Sequence, residues 1–237
     1  MPTALITGAN RGLGFEFTRQ YLGDEWHVIA ACRRPGDADA LADLGKQCPR
    51  LQTVPIDVLD HATIEGAAER FRDKPIDVLV NNAGVFGPSN AGEGDQGQSF
   101  GHIDYDAWAE VLRVNTIAPM KMAEAFVGNV SLSDQKKIVT ISSGMGSIAD
   151  TGTGGHFAYR TSKAAVNMAM ATLADNLSPQ GIIVVMLCPG WCRTDMGGDA
   201  APNDPADSVA RMRELIARFT QEDSGTFTHH SGKRLPW

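Results

Sequence analysis

Ala4-Leu5-Ile6-Thr7-Gly8-Ala9-Asn10-Arg11-Gly12-Leu13-Gly14 opens apolar, passes into a glycine-rich turn, and leads into a helical run over residues 15–22. Strand, glycine turn and helix, in that order, form the setting in which a sheet binds a dinucleotide. Glycines let the backbone turn tightly and let a pyrophosphate reach bare amides. The helix N-terminus supplies partial positive charge. The spacing is Gly-x-x-x-Gly-x-Gly rather than Gly-x-Gly-x-x-Gly, so an ordinary glycine-rich turn is the competing reading.

Working outward, apolar runs fall at residues 28–31, 51–56, 78–80, 138–141 and 182–187, with a last short one near 226–229. Several are short, β-branched and unbroken, as expected for strands buried on both faces of a parallel sheet. Helical stretches over 38–44, 62–71, 105–125 and 159–177 alternate with them. The pattern predicts an α/β fold: a Rossmann-like doubly wound parallel sheet with helices on both faces, built as one domain over residues 1–237. Two segments break the pattern. Residues 87–101 are rich in Gly, Ser, Asn and Gln, and 194–207 in Gly, Ala, Pro and Asp. Both read as substrate-side loops, with a solvated surface loop as the alternative.

Tyr159-Arg160-Thr161-Ser162-Lys163 precedes an Ala-rich helical run. Four residues of separation put phenol and ammonium on one face of that helix. A cation beside a phenol favours the phenolate and lowers its pKa, which predicts an acid/base centre. By helical spacing alone, two solvated side chains are the favoured reading, and the rest of the chain has to change it.

The chain has 237 residues, 43% of them hydrophobic, and a net charge of -7. That charge, without any Lys/Arg cluster, argues against nucleic acid as a partner. No apolar run is long enough to span a bilayer, so no membrane association is expected. The first strand starts almost at Met1, which predicts no signal peptide. Cys32, Cys48, Cys188 and Cys192 show neither disulfide-framework nor zinc spacing, so no metal is expected and the location is read as cytoplasmic. Cys188 and Cys192 flank Pro189-Gly190-Trp191, and strand-end packing is favoured there over a redox pair.

Taken together, the motifs resemble those of the short-chain dehydrogenase/reductase family in its single-domain branch. The matching positions are Gly8, Gly12 and Gly14; Asn81-Asn82-Ala83-Gly84; Asn115; Ser143; Tyr159 and Lys163; and Pro189-Gly190 with Thr194. The stretch 189–196 and the ending Gly-Lys-Arg-Leu-Pro-Trp resemble the C-factor/sniffer-like carbonyl reductases of that family. The resemblance implies an oxidoreductase that transfers a hydride between a nicotinamide and a carbonyl or alcohol carbon. It gives Tyr159 the role of proton donor and Lys163 that of pKa depressor and ribose ligand. Ser143 would hold the substrate oxygen, and Asn115 a water linking Lys163 to solvent. The gap from Ser143 to Tyr159 is longer than usual in the family, which leaves Ser142 and Ser147 as rivals for the serine role.

The resemblance also implies cofactor contacts from Gly8, Asn10, Arg11, Gly12, Leu13 and Gly14, from Arg33, and from Asp57 and Val58. Asn81, Ala83 and Gly84 would line the adenosine side. Tyr159, Lys163, Pro189, Gly190 and Thr194 would meet the nicotinamide half. An acid at the end of the second strand would favour NAD. Here Cys32 occupies that slot and Arg33 and Arg34 follow. Arg33, with Arg11 in the turn, predicts NADP(H) through charge-assisted bonds to a 2′-phosphate. Phe86, Met145, Phe157 and Trp191 are candidate pocket residues for a hydrophobic aldehyde or ketone, and His156 a candidate donor to it. A homodimer through the helices bearing Asn115 and Tyr159 is expected from the family. Two other functions share these features: an NADP-binding signalling or scaffold protein, and a dehydratase or epimerase.

Overall fold

The computed structural model describes residues 1–88 and 97–237. Most of segment 87–101, one of the two expected substrate-side loops, therefore lies outside the described residues. Seven parallel strands form one sheet in the order β3-β2-β1-β4-β5-β6-β7. They are β1 Thr3–Thr7, β2 His27–Cys32, β3 Leu51–Pro55, β4 Val78–Asn81, β5 Lys137–Ile141, β6 Ile183–Cys188 and β7 Phe227–His229.

Among the described residues, seven α-helices fill the crossovers: α1 Gly12–Gly23, α2 Asp39–Gln47, α3 His61–Arg70, α4 Tyr105–Leu112, α5 Ala118–Ser131, α6 Phe157–Leu177 and α7 Pro205–Arg218. Strand side chains alternate between two cores. Leu5, Leu79, Ile138 and Val184 join Ile64 of α3, Phe126 of α5 and Met170 of α6. Ile6, Val80, Val139 and Val185 join Phe17 of α1, Leu41 of α2 and Met212 of α7. Both faces are thus covered, which is why the strands carry no polar alternation.

Two elements depart from the sequence expectation. The run 105–125 is two helices, α4 and α5, joined by a π-helical turn over Arg113–Ile117 that contains Asn115. Such wide turns inside helices are frequent at functional sites. Segment 194–207 ends in α7, whose Asp204 side chain accepts from the Ala206 N–H at 2.8 Å and whose first residue is Pro205. Both are ordinary helix-start features. Strand order reverses between β1 and β4, so the crevice where such sheets hold ligands opens above the ends of these two strands.

Candidate active site

The glycine turn follows β1 directly. Gly8 and Gly12 have φ of 63° and 54°, in the left-handed region that favours glycine. A Cβ at Gly14 would run into the Gly8 carbonyl oxygen, so α1 can begin this close to the turn only with glycine there. Unlike α3, α4 and α7, which Asp60, Asp104 and Asp204 cap, α1 receives no side-chain cap. Its first-turn amides are left for an anion.

The turn is tied to the end of β4 by a residue the sequence reading passed over. Asn82 donates from Nδ2 to the carbonyls of Thr7 and Gly8, at 2.8 and 3.3 Å. The Asn82 and Ala83 amides both donate to Thr7 Oγ1 at 3.0 Å. Asn82 belongs to the quoted Asn-Asn-Ala-Gly run, which was the available signal.

Asn81 is buried. Its Nδ2 donates to the Pro119 carbonyl at 3.3 Å and its Oδ1 has no protein partner. With Val58, Ala83 and Val114 it lines a recess beside Thr7. Asp57, at the end of β3, accepts the Leu59 N–H on Oδ1 at 3.0 Å. Open amides at α1, the unpartnered Asn81 oxygen and the glycine cradle together fit a dinucleotide.

At the β2 end Arg33 is exposed and has no ion pair among the described residues, whereas Arg34 pairs with Asp37 at 3.3 Å. Arg11 does not join Arg33. It pairs with Asp195, in the segment after β6, at 2.9 Å. Asn10 is exposed beside it, and Leu13 packs toward the core of α1. Thr194 lies over the same turn, its Cγ2 3.5 Å from where a Gly12 Cβ would be. The segment around Thr194 is held by its own bonds. Trp191 Nε1 donates to the Gly197 carbonyl at 2.7 Å, and the Asn203 amide to the Trp191 carbonyl at 3.1 Å.

Tyr159 and Lys163 sit one turn apart on α6 and are 8% and 6% exposed. Lys163 Nζ lies 5.7 Å from the Tyr159 ring centre and donates to the Ile141 carbonyl at 2.9 Å. The expected pKa relation does not hold. Burial pushes the phenol up to about 12, opposed by a hydrogen bond with Ser143, and Lys163 contributes no downward shift. Burial brings the Lys163 ammonium down to about 8, with Cys188 pulling the other way. Desolvation is the largest cause at both groups because both are enclosed.

The three serines separate cleanly. Ser142 Oγ donates to Asn167 Oδ1 at 2.6 Å within the core. Ser147 Oγ donates to the Trp237 carbonyl at 3.3 Å, and the Ala149 amide reaches the same oxygen at 2.8 Å. Ser143 Oγ accepts the Met145 amide at 3.2 Å, and of the three it is the serine that lowers the Tyr159 phenol pKa. The Cys188 sulfur accepts from the Gly144 and Gly190 amides at 3.1 and 3.4 Å, joining the turn after Ser143 to the Pro189-Gly190 turn.

The Asn115 side chain is engaged with protein. Its Nδ2 donates to the Val85 carbonyl and to Ser162 Oγ, at 2.8 and 3.0 Å, and its Oδ1 accepts the Val85 amide at 2.9 Å. Both side-chain hydrogens are spent on protein, so the amide locks the segment after β4 to α6. Gly84 sits against it: a Cβ there would be 3.2 Å from Asn115 Oδ1 and 3.7 Å from Lys163 Nζ.

Phe86 lies 4.5 Å from the Tyr159 ring and 5.2 Å from that of His156, and Trp191 is 49% exposed. Phe157 turns instead toward Trp108 of α4, 6.5 Å away. No group of metal-ligating side chains occurs, and no helix is long and apolar enough to cross a membrane, among the described residues.

The profile of the family described as short chain dehydrogenase matches residues 2–205. The C-signal protein of Myxococcus xanthus is 37% identical over 163 residues, 69% of this chain and 93% of its own. The carbonyl reductase Sniffer of D. melanogaster superposes with a TM-score of 0.91 at 30% identity, covering 100% of both chains. An NADPH-bound carbonyl reductase from chicken fatty liver gives 0.90 at 32% identity, over 100% of this chain and 99% of that one.

Proposed function

The chain belongs to the short-chain dehydrogenase family, and we propose that it uses NADPH to reduce the carbonyl of an aldehyde or ketone to an alcohol. NADPH, when bound, supplies the hydride. Tyr159 donates the proton to the carbonyl oxygen, which balances the reaction. Ser143 donates a hydrogen bond to that oxygen as its charge grows. Lys163 binds the nicotinamide ribose and sits ready to return a proton to Tyr159. Thr194, Pro189 and Gly190 contact the nicotinamide end. The glycine turn and the open N-terminus of α1 take the pyrophosphate, Arg33 the 2′-phosphate, and Asp57 and Val58 the adenine. The reading rests above all on one observation: Tyr159 and Lys163 are enclosed one turn apart on α6, with Lys163 Nζ 5.7 Å from the phenol ring, while Ser142 and Ser147 donate elsewhere and, among the described residues, Ser143 Oγ accepts only its neighbouring Met145 amide.

Phe86 beside the phenol and the half-exposed Trp191 favour an apolar, partly aromatic substrate. The test is product analysis with NADPH and a panel of aldehydes and ketones. Alcohol formed in step with NADPH consumption is expected; NADPH binding with no turnover across the panel refutes the reading.

The four cysteines are free thiols, in keeping with a cytoplasmic protein. Ile117, beside α5, and Met168 of α6 are 50% and 70% exposed. Their exposure supports a homodimer through these helices, and light scattering at micromolar concentration would read twice the chain mass.

A further inference from the structure

Gln98 is fully buried, although it lies in the polar segment 87–101 and Phe100, two residues on, is 88% exposed. Its main-chain carbonyl accepts the Phe157 amide at 3.2 Å, and its Oε1 accepts the Tyr159 amide at 3.1 Å. These are the first and third amides of α6, groups that a helix start leaves unpaired. The residue before the helix, His156, has φ 54° and supplies no side-chain cap. Gln98 therefore caps α6 from a distant loop. Its remaining polar group, Nε2, donates to the Phe86 carbonyl at 3.2 Å. The Phe86 ring in turn packs 4.5 Å from that of Tyr159. Gly87 makes room for the amide: its φ is 125°, and a Cβ there would lie 2.8 Å from Gln98 Nε2.

We propose that Gln98 is a positioning residue for the proton donor, holding Tyr159 by its main chain and by the residue whose ring packs on the phenol. The inference rests on the assignment of Tyr159 as the donor. Its energetic basis is orientation: a displacement of about 1 Å at a reacting group can cost roughly 10²-fold in rate. The Gln98 side chain uses one donor and one acceptor at once. A protonated carboxylic acid of the same shape can do likewise, whereas a carboxylate offers acceptors only and would face the Phe86 carbonyl unpaired.

The experiment compares Gln98→Leu and Gln98→Glu with wild type, with Tyr159→Phe as reference. Steady-state carbonyl reduction, NADPH dissociation constants and hydrogen exchange of the Tyr159 amide in the NADPH-bound protein are measured. For Gln98→Leu, kcat is expected to fall by about 10- to 100-fold while NADPH affinity stays within about twofold, and the Tyr159 amide exchanges faster. Gln98→Glu is expected to approach wild-type turnover near pH ~6, where a buried carboxyl still holds its proton, and to lose it as pH rises.

Three results would each overturn the proposal: Gln98→Leu turning over like wild type, kcat and NADPH affinity falling together, or a Gln98→Glu pH profile parallel to that of wild type. Should Gln98→Leu fail to fold, Gln98→Glu still decides, because one folded preparation is switched by pH. Full activity in Tyr159→Phe would overturn the assignment of Tyr159 itself, a result separable from any at Gln98. The exchange rate of the Tyr159 amide tests the grip of Gln98 without reference to turnover.

Discussion

Charge is handled in opposite ways at the two ends of the cleft. At the Tyr159 end both titratable groups are almost closed off from water, and burial is the largest cause that moves one pKa up and the other down. At the Arg11 end the guanidinium and the Asp195 carboxylate are 70% and 74% exposed, and Arg33 faces solvent with no ion pair among the described residues. An exposed pair of this kind contributes little to stability, since water and salt screen it. The Tyr159 end is thus set by enclosure, which the fold fixes in advance. The Arg11 end keeps solvated cations, whose charges stay available to an anion because water, not a strong partner, holds them.

The largest test of that contrast is Tyr159→Phe. The ring stays packed on Phe86, so the fold and NADPH affinity should survive while reduction falls by roughly 10²-fold or more. Steady-state turnover beside cofactor fluorescence measures both, and near-normal turnover would move the proton chemistry away from the buried end.

Next comes Ser143→Ala, expected to lower kcat by about 10-fold or more with cofactor affinity unchanged. Ser142→Ala and Ser147→Ala should do less. A larger defect at Ser147 would mean that the long segment between Ser143 and Tyr159 has transferred the serine role.

Arg33→Asp probes the exposed end. It replaces a charge-assisted contact by repulsion, so NADPH affinity should fall by roughly 10-fold or more while NADH affinity holds. Equal wild-type affinity for the two cofactors would remove Arg33 from the phosphate site.

The smallest effect is on stability. Burial brings the Lys163 ammonium in the folded protein down to about 8, below its ordinary value of 10.5. Between these values the unfolded chain binds more protons, so this group raises wild-type stability as pH climbs through that window. Below pH 8 the folded protein carries an enclosed ammonium at a cost. Lys163→Met should therefore be favoured relative to wild type near pH 7, and the gap should narrow by pH 9.5. Urea midpoints at the two pH values test it; a constant gap would show that the ammonium is not desolvated.

The strands were legible because seven short apolar runs, most of them unbroken, leave few other ways to bury them. The site was legible as a set of positions but not as a set of contacts. Helical spacing put Tyr159 and Lys163 together correctly, yet it carries no information about dielectric, so the direction of the phenol shift came out wrong. The π-helical turn between α4 and α5 carries Asn115, whose partners Val85 and Ser162 are remote in sequence, so residue spacing could not show it. The start of α7 was readable from Asp204 and Pro205, but the Gly/Pro/Asp-rich composition around them masked it. Gln98 was hidden for the converse reason: polar neighbours made a buried residue look like part of a surface loop.

Ser147 and the residue whose carbonyl it meets, Trp237, are 90 positions apart in the chain. Leu235 lies along β7, its amide donating to the Phe227 carbonyl at 2.8 Å, and Trp237 stacks 6.0 Å from Phe227. Closing a long loop costs only slightly more than closing a short one, because the entropy grows with the logarithm of its length. The turn that follows Ser143 is thereby fastened to the edge of the sheet, and fraying of residues 235–237 from β7 would loosen that turn without touching the glycine cradle.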